Sequence, residues 1–506
     1  MPIRSCSCSR VTGAGSGGSS AAYYLNHYTQ SCDRVRITVY ERNPYIGGRS
    51  TTVNAYEDPD EPVELGGSIF VKVNRNLMHA VKLLGLTTQD GHDGARSDKS
   101  EDLPDTIGVY DGKEWRYVSP WDPTNGWWTI VKLLWQYGSA PVQTNRLMKS
   151  VVGKFLDMYD ALFPFADLTQ AVRDAGLADI VAVNGEELLK QNNIGQGFSQ
   201  DIIQASTRVN YGQNLDAIHG VETMVCMATD GAVSVKGGNW QMFAGMLDHS
   251  AALVLLNTTV TGVTYNEKSG LYSVDAKSVD SDEQLSISEE YDDVILASPH
   301  QFSELKISPQ PTSPIPSIPY VALYVTLFTS PHRLNPHNFN LPSDTEVPKI
   351  LLTTTASDGS EPPYRSISTL RAITNPHTLE REYLYKVFSP APLDDDFLLS
   401  SLRQPYLDHR DISWKFEKLW HSYPVEHPRT TFENTTYALG GGGKIWYTSA
   451  IEGFISTMET SSLMGMNVAR LLVDEWLSEK GQAGEHIADG GVGRKSGGSE
   501  KKIEEL

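Results

Sequence analysis

Residues 10–28 read RVTGAGSGGSSAAYYLNHY, and residues 35–41 read VRITVYE. The first stretch is the end of a strand, a glycine-rich turn and a helix with apolar residues at Ala22, Leu25 and Tyr28. The second alternates β-branched residues, as a strand does. In such a strand–turn–helix–strand unit Gly13 makes the tight turn, Gly15 admits a pyrophosphate close to the backbone, and Gly18 lets helix pack on strand. The fold also calls for an acid at the end of the second strand to hold ribose hydroxyls. Glu41 stands there, 23 residues after Gly18, against about 20 in the motif. A lone GxGxxG is weak and fits a merely structural turn. With the helix, the second strand and Glu41 in place, the unit is read as dinucleotide-binding.

Working outward, Gly47-Gly48-Arg49 follows Glu41, and Glu64-Leu65-Gly66-Gly67-Ser68 forms a third glycine cluster. The two-dinucleotide-binding flavoproteins of the amine oxidase and phytoene desaturase type carry such a doublet at that place. The resemblance implies FAD rather than NAD, with the doublet passing close to the diphosphate and Arg49 offsetting its charge. Asp293 to Ala297, followed by Ser298-Pro299, resembles the returning strand of that class, a parallel strand buried on both faces. Ala450-Ile451-Glu452-Gly453 precedes a helix. In the resembling class this element sets an acid on the ribityl chain and a helix N-terminus near the flavin pyrimidine; Glu452 also fits an ordinary acid in a first helical turn. No Cys or His lies between Pro428 and Glu485, so the FAD is expected to be non-covalent.

Composition narrows the field. The chain has 506 residues, 40% of them hydrophobic, and a formal net charge of −20. That length suggests roughly three domain-sized masses. The negative surface repels phosphate backbones, which speaks against nucleic-acid partners, and it also serves plain solubility. Cys6, Cys8, Cys32 and Cys226 form no CxxC pair, so neither a disulfide framework nor a metal site is expected. No apolar run reaches membrane-span length.

The polar text from about Asp90 to Ser119 reads as an excursion loop. Val151 to Ala161, Trp240 to His249 and Ser456 to Trp476 read as helical; Leu253 to Leu256, Thr259 to Tyr265 and Tyr320 to Phe328 read as strands. The expected architecture is α/β: a Rossmann-like FAD domain from 1–75, 230–300 and 430–478, and a discontinuous α+β substrate domain from 76–229 and 301–429. The Gly/Ser/charged segment 479–506 is expected to be disordered.

Several stretches carry a more specific resemblance. GAGSGGSSAAYYL, ELGGSIF, Arg208-Val209-Asn210-Tyr211-Gly212-Gln213, Gly237-Gly238-Asn239 and YTSAIEGFISTMETS look like the prenylcysteine oxidase family, also called prenylcysteine or farnesylcysteine lyase. The resemblance runs from Val11 to about Trp476. It implies cofactor contacts at Gly13, Gly15, Gly17, Gly18, Glu41, Arg42, Gly48, Arg49, Gly67, Ser68, Val260 and Glu452. It implies S-farnesyl- or S-geranylgeranyl-cysteine as substrate, with water and dioxygen as co-reactants and no obligate protein partner. Hydride leaves the allylic carbon bonded to sulfur, water adds, and cysteine, a prenyl aldehyde and hydrogen peroxide result.

Such chemistry needs an apolar tunnel and a dry flavin face. Trp121, Trp127, Trp128, Trp135, Phe155, Phe163 and Phe165 could line the tunnel or serve as core. Asn210, Tyr211 and Gln213 are candidate substrate neighbours, or a structural turn. No catalytic residue is assigned, and lone histidines such as His219 and His249 are read as bystanders. The alternatives are a related FAD oxidase acting on an amine or terpenoid, and a non-catalytic lipid-binding homologue.

The sequence departs from the family in two ways. Arg10-Val11-Thr12 meets Gly13 where about two more apolar strand residues are expected, which suggests a truncated or misjoined N-terminus, a weakened first strand and looser FAD binding. The resemblance implies lysosomal, vacuolar or secretory residence, yet MPIRSCSCSR lacks a signal-peptide core. Sequons at Asn257 and Asn434 add little to that route.

Overall fold

Strand β1 (Cys8–Thr12), helix α1 (Ser16–Tyr28) and strand β2 (Arg36–Tyr40) form the opening βαβ unit. The computed structural model describes residues 8–29, 35–90, 106–120, 133–281, 284–285, 289–403 and 408–479; the tail from 480 onward lies outside them. β1 pairs in parallel with β2 on one side and with Asp293–Leu296 on the other. Leu253–Leu255 extends the sheet beyond β2, and Lys444–Tyr447 extends it beyond Asp293–Leu296, both in parallel. Thr436–Ala438 closes that edge antiparallel. Val11, Val39, Val294 and Ile295 are buried, as a sheet covered on both faces requires.

The expected shortage of strand residues before the glycine turn is made up by Cys8 and Ser9. Both pair with β2, and Ser9 pairs also with Asp293. Backbone ladders need no apolar side chain, so the polar Cys8-Ser9-Arg10 text still extends the strand. The cost falls on Arg10, which is fully buried with its guanidinium 3.5 Å from the Tyr40 ring centroid and 5.2 Å from that of Tyr291.

Small residues let α1 cross the C-terminal helix Met458–Glu479 at close range. A Cβ on Gly465 would stand 2.2 Å from the Gly17 carbonyl oxygen, and the hydroxyls of Ser20 and Ser462 share a hydrogen bond across the seam. On the other face a four-stranded sheet runs Gln284–Leu285, Leu271–Ser278, Thr258–Asn266, Lys306–Ser308.

A seven-stranded sheet stands apart from the parallel one, in the order Trp414–Pro424, Tyr320–Ser330, Arg381–Ser389, Ser366–Thr374, Ile350–Thr353, Thr106–Tyr110, Trp115–Pro120. The last two strands correct the expected loop: residues 106–120 are a hairpin. Its polar text is the turn, where Asp111 Oδ1 accepts the N–H groups of Lys113 and Glu114, while Val109 and Tyr117 are buried. Residues 91–105 of that expected loop lie outside the described residues. The helix expected over Val151 to Ala161 is instead Ala140–Leu156, with Pro141 in its first turn, where a proline costs nothing. Ala140, Thr144, Met148, Val151 and Phe155 make its buried stripe, and one 3-10 turn, Asp157–Tyr159, follows.

Candidate active site

The turn after β1 is held by backbone geometry that only glycine adopts. Gly13 has φ of +103° and donates its N–H to the Tyr40 carbonyl at 2.7 Å. A Cβ on Gly18 would stand 1.9 Å from the Gly13 carbonyl oxygen. α1 starts with no side-chain cap at Gly15, so its first N–H groups face the cavity with their positive end free for an anion. The doublet lies directly against this turn. Gly47 donates to the Ala14 carbonyl at 2.9 Å, and a Cβ on Gly48, at φ of +61°, would come within 3.2 Å of Gly15 Cα.

Glu41 is buried at the end of β2. Its Oε2 accepts the Ala14 N–H at 2.8 Å, and its Oε1 accepts the Asn43 backbone N–H at 2.8 Å and side-chain N–H at 2.6 Å. The carboxylate is thereby oriented before any ligand arrives. Thr258, Thr259 and Val260 continue this end of the cavity. Arg42 lines it too, at the surface, donating to the Phe302 carbonyl at 3.0 Å.

At the other end Arg49 Nη2 is 2.9 Å from Glu452 Oε2. Arg49 Nη1 donates to the Ser422 carbonyl at 2.6 Å, and the Tyr320 hydroxyl donates to Glu452 Oε2 at 3.0 Å. Gly67 and Ser68 form the wall beside them, and a Cβ on Gly67 would meet Met458 Sδ at 2.8 Å.

These pieces line one cavity of about 1270 Å³, larger than the about 300–1,000 Å³ typical of a single small-ligand site. Of the expected cofactor residues, only Gly18 is not on its wall; it sits behind, where helix meets turn. The uncapped helix start, the oriented carboxylate and the paired glycine turns fit a dinucleotide. From that cradle the cavity continues between the seven-stranded sheet and the helix Ala140–Leu156, where Ile107, Val109, Val152, Leu156, Ile202 and Leu352 make an apolar arm.

A family model described as prenylcysteine lyase matches residues 122–485. The chain belongs to the prenylcysteine lyase family. An NAD(P)-binding Rossmann-like domain model matches residues 11–84, the opening βαβ unit and both glycine clusters after it. The farnesylcysteine lyase of Arabidopsis thaliana is 27% identical over 487 residues, spanning 93% of this chain and 89% of that protein. Prenylcysteine oxidase 1 of Mus musculus is 25% identical, spanning 92% and 88%. Among solved structures, a putrescine oxidase variant with redesigned cofactor binding aligns with a TM-score of 0.55 at 16% identity, over 93% of this chain and 99% of that one. Cyclohexylamine oxidase from Brevibacterium oxydans aligns at 0.54 and 16%, over the same shares. At that identity the two oxidases speak for the fold: an α/β Rossmann-like domain joined to a second sheet.

Within this prenylcysteine lyase family fold, the candidate substrate residues separate. Tyr211 is buried on the cavity wall and Asn210 lies at its exposed edge. Gln213 does not reach the cavity; its amide donates to the Tyr211 and Pro424 carbonyls, both at 3.2 Å, and accepts the Glu426 N–H at 2.8 Å. Of the aromatics, Phe155 lines the cavity, Phe165 is core, Phe163 packs against that core, and Trp135 is 89% exposed. Trp121, Trp127 and Trp128 lie outside the described residues.

Two features escaped sequence reading. Lys386 reaches the cavity from the middle of Arg381–Ser389 and donates to the Glu64 carbonyl at 2.7 Å and to Ser68 Oγ at 3.1 Å. Burial lowers its ammonium to about 8, opposed by Glu64. A lone lysine inside the otherwise apolar text YLYKVF was the available signal. The second is a group of buried acids behind Tyr211. Among the described residues no cluster of His, Cys, Asp and Glu could hold a metal ion, and no helix is long and apolar enough to cross a membrane.

Proposed function

We propose that this protein is an FAD-dependent thioether oxidase that cleaves S-prenyl-L-cysteine to cysteine, a prenyl aldehyde and hydrogen peroxide. The observation that carries the reading is the continuity of one cavity from the dinucleotide cradle into an apolar arm. The N–H groups at the start of α1 would hold the diphosphate, Glu41 the adenosine ribose, and the Arg49–Glu452 pair the ribityl end. When bound, the flavin accepts hydride from the carbon between sulfur and double bond and passes the electrons to dioxygen.

The chain's own part is orientation and exclusion of water. Ile107, Val109 and Leu352 offer the prenyl tail a surface whose burial is worth about 25 cal/mol per Å². That sequesters the allylic carbon from bulk solvent. Sulfur and the allyl group stabilise the developing cation, so a strong base at that carbon is not required. Gly13, Gly15, Gly17, Gly48, Gly67, Ser68, Arg42 and Val260 belong to the cofactor half of this assignment, and Asn210 and Tyr211 to the substrate half. The segments 1–75, 230–300 and 430–478 would form the FAD part, and 76–229 and 301–429 the substrate part. The reading places the protein in the breakdown of prenylated proteins, in a lysosomal, vacuolar or secretory compartment. Support for that place is the family alone; Asn434, which is exposed, is the sequon open to a glycan.

The test is aldehyde and peroxide detection with farnesylcysteine, geranylgeranylcysteine and benzylamine. Both products with the prenyl thioethers alone support the reading. Turnover of the amine alone makes the protein an amine oxidase, and a colourless protein that binds prenylcysteine unchanged makes it a lipid-binding homologue.

A further inference from the structure

The face that the seven-stranded sheet turns to the cavity changes character along a single row. Lys386, Ser368, Ile350 and Ile107 stand opposite one another on four successive strands, and all four are on the cavity wall. At about 4.8 Å per strand, Lys386 is about 14 Å from Ile107. In the adjacent row Leu352 and Val109 are again register partners on the wall. One end of the row is therefore cationic and lies against Ser68 in the cradle, while the other end is the apolar arm.

The Lys386 ammonium has three N–H donors. Two go to the Glu64 carbonyl at 2.7 Å and to Ser68 Oγ at 3.1 Å. Ser68 gives its own hydroxyl proton to the Gly66 carbonyl at 2.8 Å, so it meets Lys386 as an acceptor. Both acceptors are neutral, and the third N–H has none among the described residues. Glu64 Oε1 accepts the Asn239 N–H at 2.6 Å, and among the described residues no carboxylate lies within ion-pair distance of Lys386. A buried ammonium held by neutral groups alone is costly, and an anion brought by a ligand relieves that cost. Burial lowers this ammonium to about 8, opposed by Glu64, so it stays charged at neutral and acidic pH.

The other cations on the described wall are engaged elsewhere. Arg49 is ion-paired with Glu452, and Arg42 sits at the ribose end, donating to the Phe302 carbonyl. Lys418 donates to the Tyr45 hydroxyl at 2.9 Å and lies 4.2 Å from the Trp420 ring centroid. Its strand, Trp414–Pro424, is at the edge of the sheet, on the side of Lys386 away from the apolar arm.

We propose that Lys386 selects the substrate's head group, its Nζ binding the α-carboxylate of S-prenyl-cysteine while the prenyl tail lies across the row toward Ile107. This rests on the thioether oxidase reading. In that substrate the carboxylate is two carbons from sulfur, and the allylic carbon is on sulfur's other side. A carboxylate held at Lys386 and a tail held in the arm therefore fix the bond to be cleaved between them, beside Ser68. The occupant is specified as an apolar chain that ends in an anion.

The experiment measures kcat/KM of the FAD-loaded full-length protein for farnesylcysteine and for farnesylcysteamine, which keeps the thioether and the ammonium but lacks the carboxylate. Wild type should prefer farnesylcysteine by about 10–100-fold, the worth of a hydrogen bond between charged groups. Lys386→Gln keeps a donor for the Glu64 carbonyl and removes the charge; it should use the two thioethers alike. Lys386→Arg keeps the charge and should keep the preference. A lysine that served only to fasten Ser68 would slow both substrates equally and leave their ratio unchanged. A Lys386→Gln protein with the wild-type ratio thus overturns the head-group site, and so does a wild type that uses both thioethers alike. Either result leaves the oxidase reading intact. A wild type that leaves both thioethers untouched overturns both.

Discussion

Arg49 Nη2 lies 2.9 Å from Glu452 Oε2, and this contact joins the segment after the first βαβ unit to the turn before the last helix. The two groups come from opposite ends of the chain, and the cavity runs between the elements they tie. Tyr320, from the seven-stranded sheet, donates to the same Glu452 oxygen. Together with Lys386, which donates to Glu64 and Ser68, this contact fastens the cradle to the second sheet beside the expected flavin.

Glu41 is oriented by the Ala14 and Asn43 N–H groups, so an amide in its place must turn a donor toward a donor. Glu41→Gln should weaken FAD binding by about 10–100-fold, since hydrogen bonds to charged groups contribute about 1.5–3 kcal/mol. Fluorescence titration of flavin-free protein reads this. Unchanged affinity would remove Glu41 from the ribose site.

Gly18 and Gly153 make a matched pair. A Cβ at Gly18 meets the Gly13 carbonyl oxygen at 1.9 Å, whereas a Cβ at exposed, helical Gly153 meets nothing within 4 Å. Gly18→Ala should cost about 3 kcal/mol or more and abolish flavin retention. Gly153→Ala should gain about 0.5–1 kcal/mol. Thermal unfolding with a flavin assay separates the two, and equal behaviour contradicts the packing described.

Leu352 lines the apolar arm and is only half-buried. Leu352→Trp should shorten the arm, raising KM for geranylgeranylcysteine about tenfold, or about 1.4 kcal/mol, and that for farnesylcysteine much less. Equal effects on both substrates would place the prenyl tail elsewhere.

The parts legible in sequence are those where backbone geometry dictates residue type. Gly13, Gly15, Gly18 and Gly48 sit where turns touch, and Glu41 follows from where β2 ends. The hairpin over residues 106–120 was hidden because its turn, Asp111 to Glu114, carries the charge that reads as loop. Lys386, Glu222 and Glu426 were hidden for another reason: their meaning comes from neighbours distant in the chain, and no local spacing announces a buried charge. His219, read as a bystander, caps the helix that carries Glu222.

Arg10 is the position where sequence and fold agree least. It lies inside the central sheet with no carboxylate at ion-pair distance among the described residues, stacked on Tyr40 and away from the cavity wall. Burial lowers its guanidinium to about 10. Arg10→Leu should raise stability by about 1–3 kcal/mol and leave FAD affinity unchanged, because a packed apolar side chain avoids the desolvation cost. A lower unfolding midpoint would show that the stacking on Tyr40 outweighs that cost.

The central claim is that one cavity brings a bound flavin against an apolar arm shaped for a prenyl chain. Its most direct test is to mix the FAD-loaded protein with farnesylcysteine in the absence of oxygen and follow the absorbance of the oxidised flavin. Farnesylcysteine should bleach it fully, and cysteine and benzylamine should leave it oxidised. A flavin that stays oxidised with farnesylcysteine, or bleaches only with the amine, contradicts it.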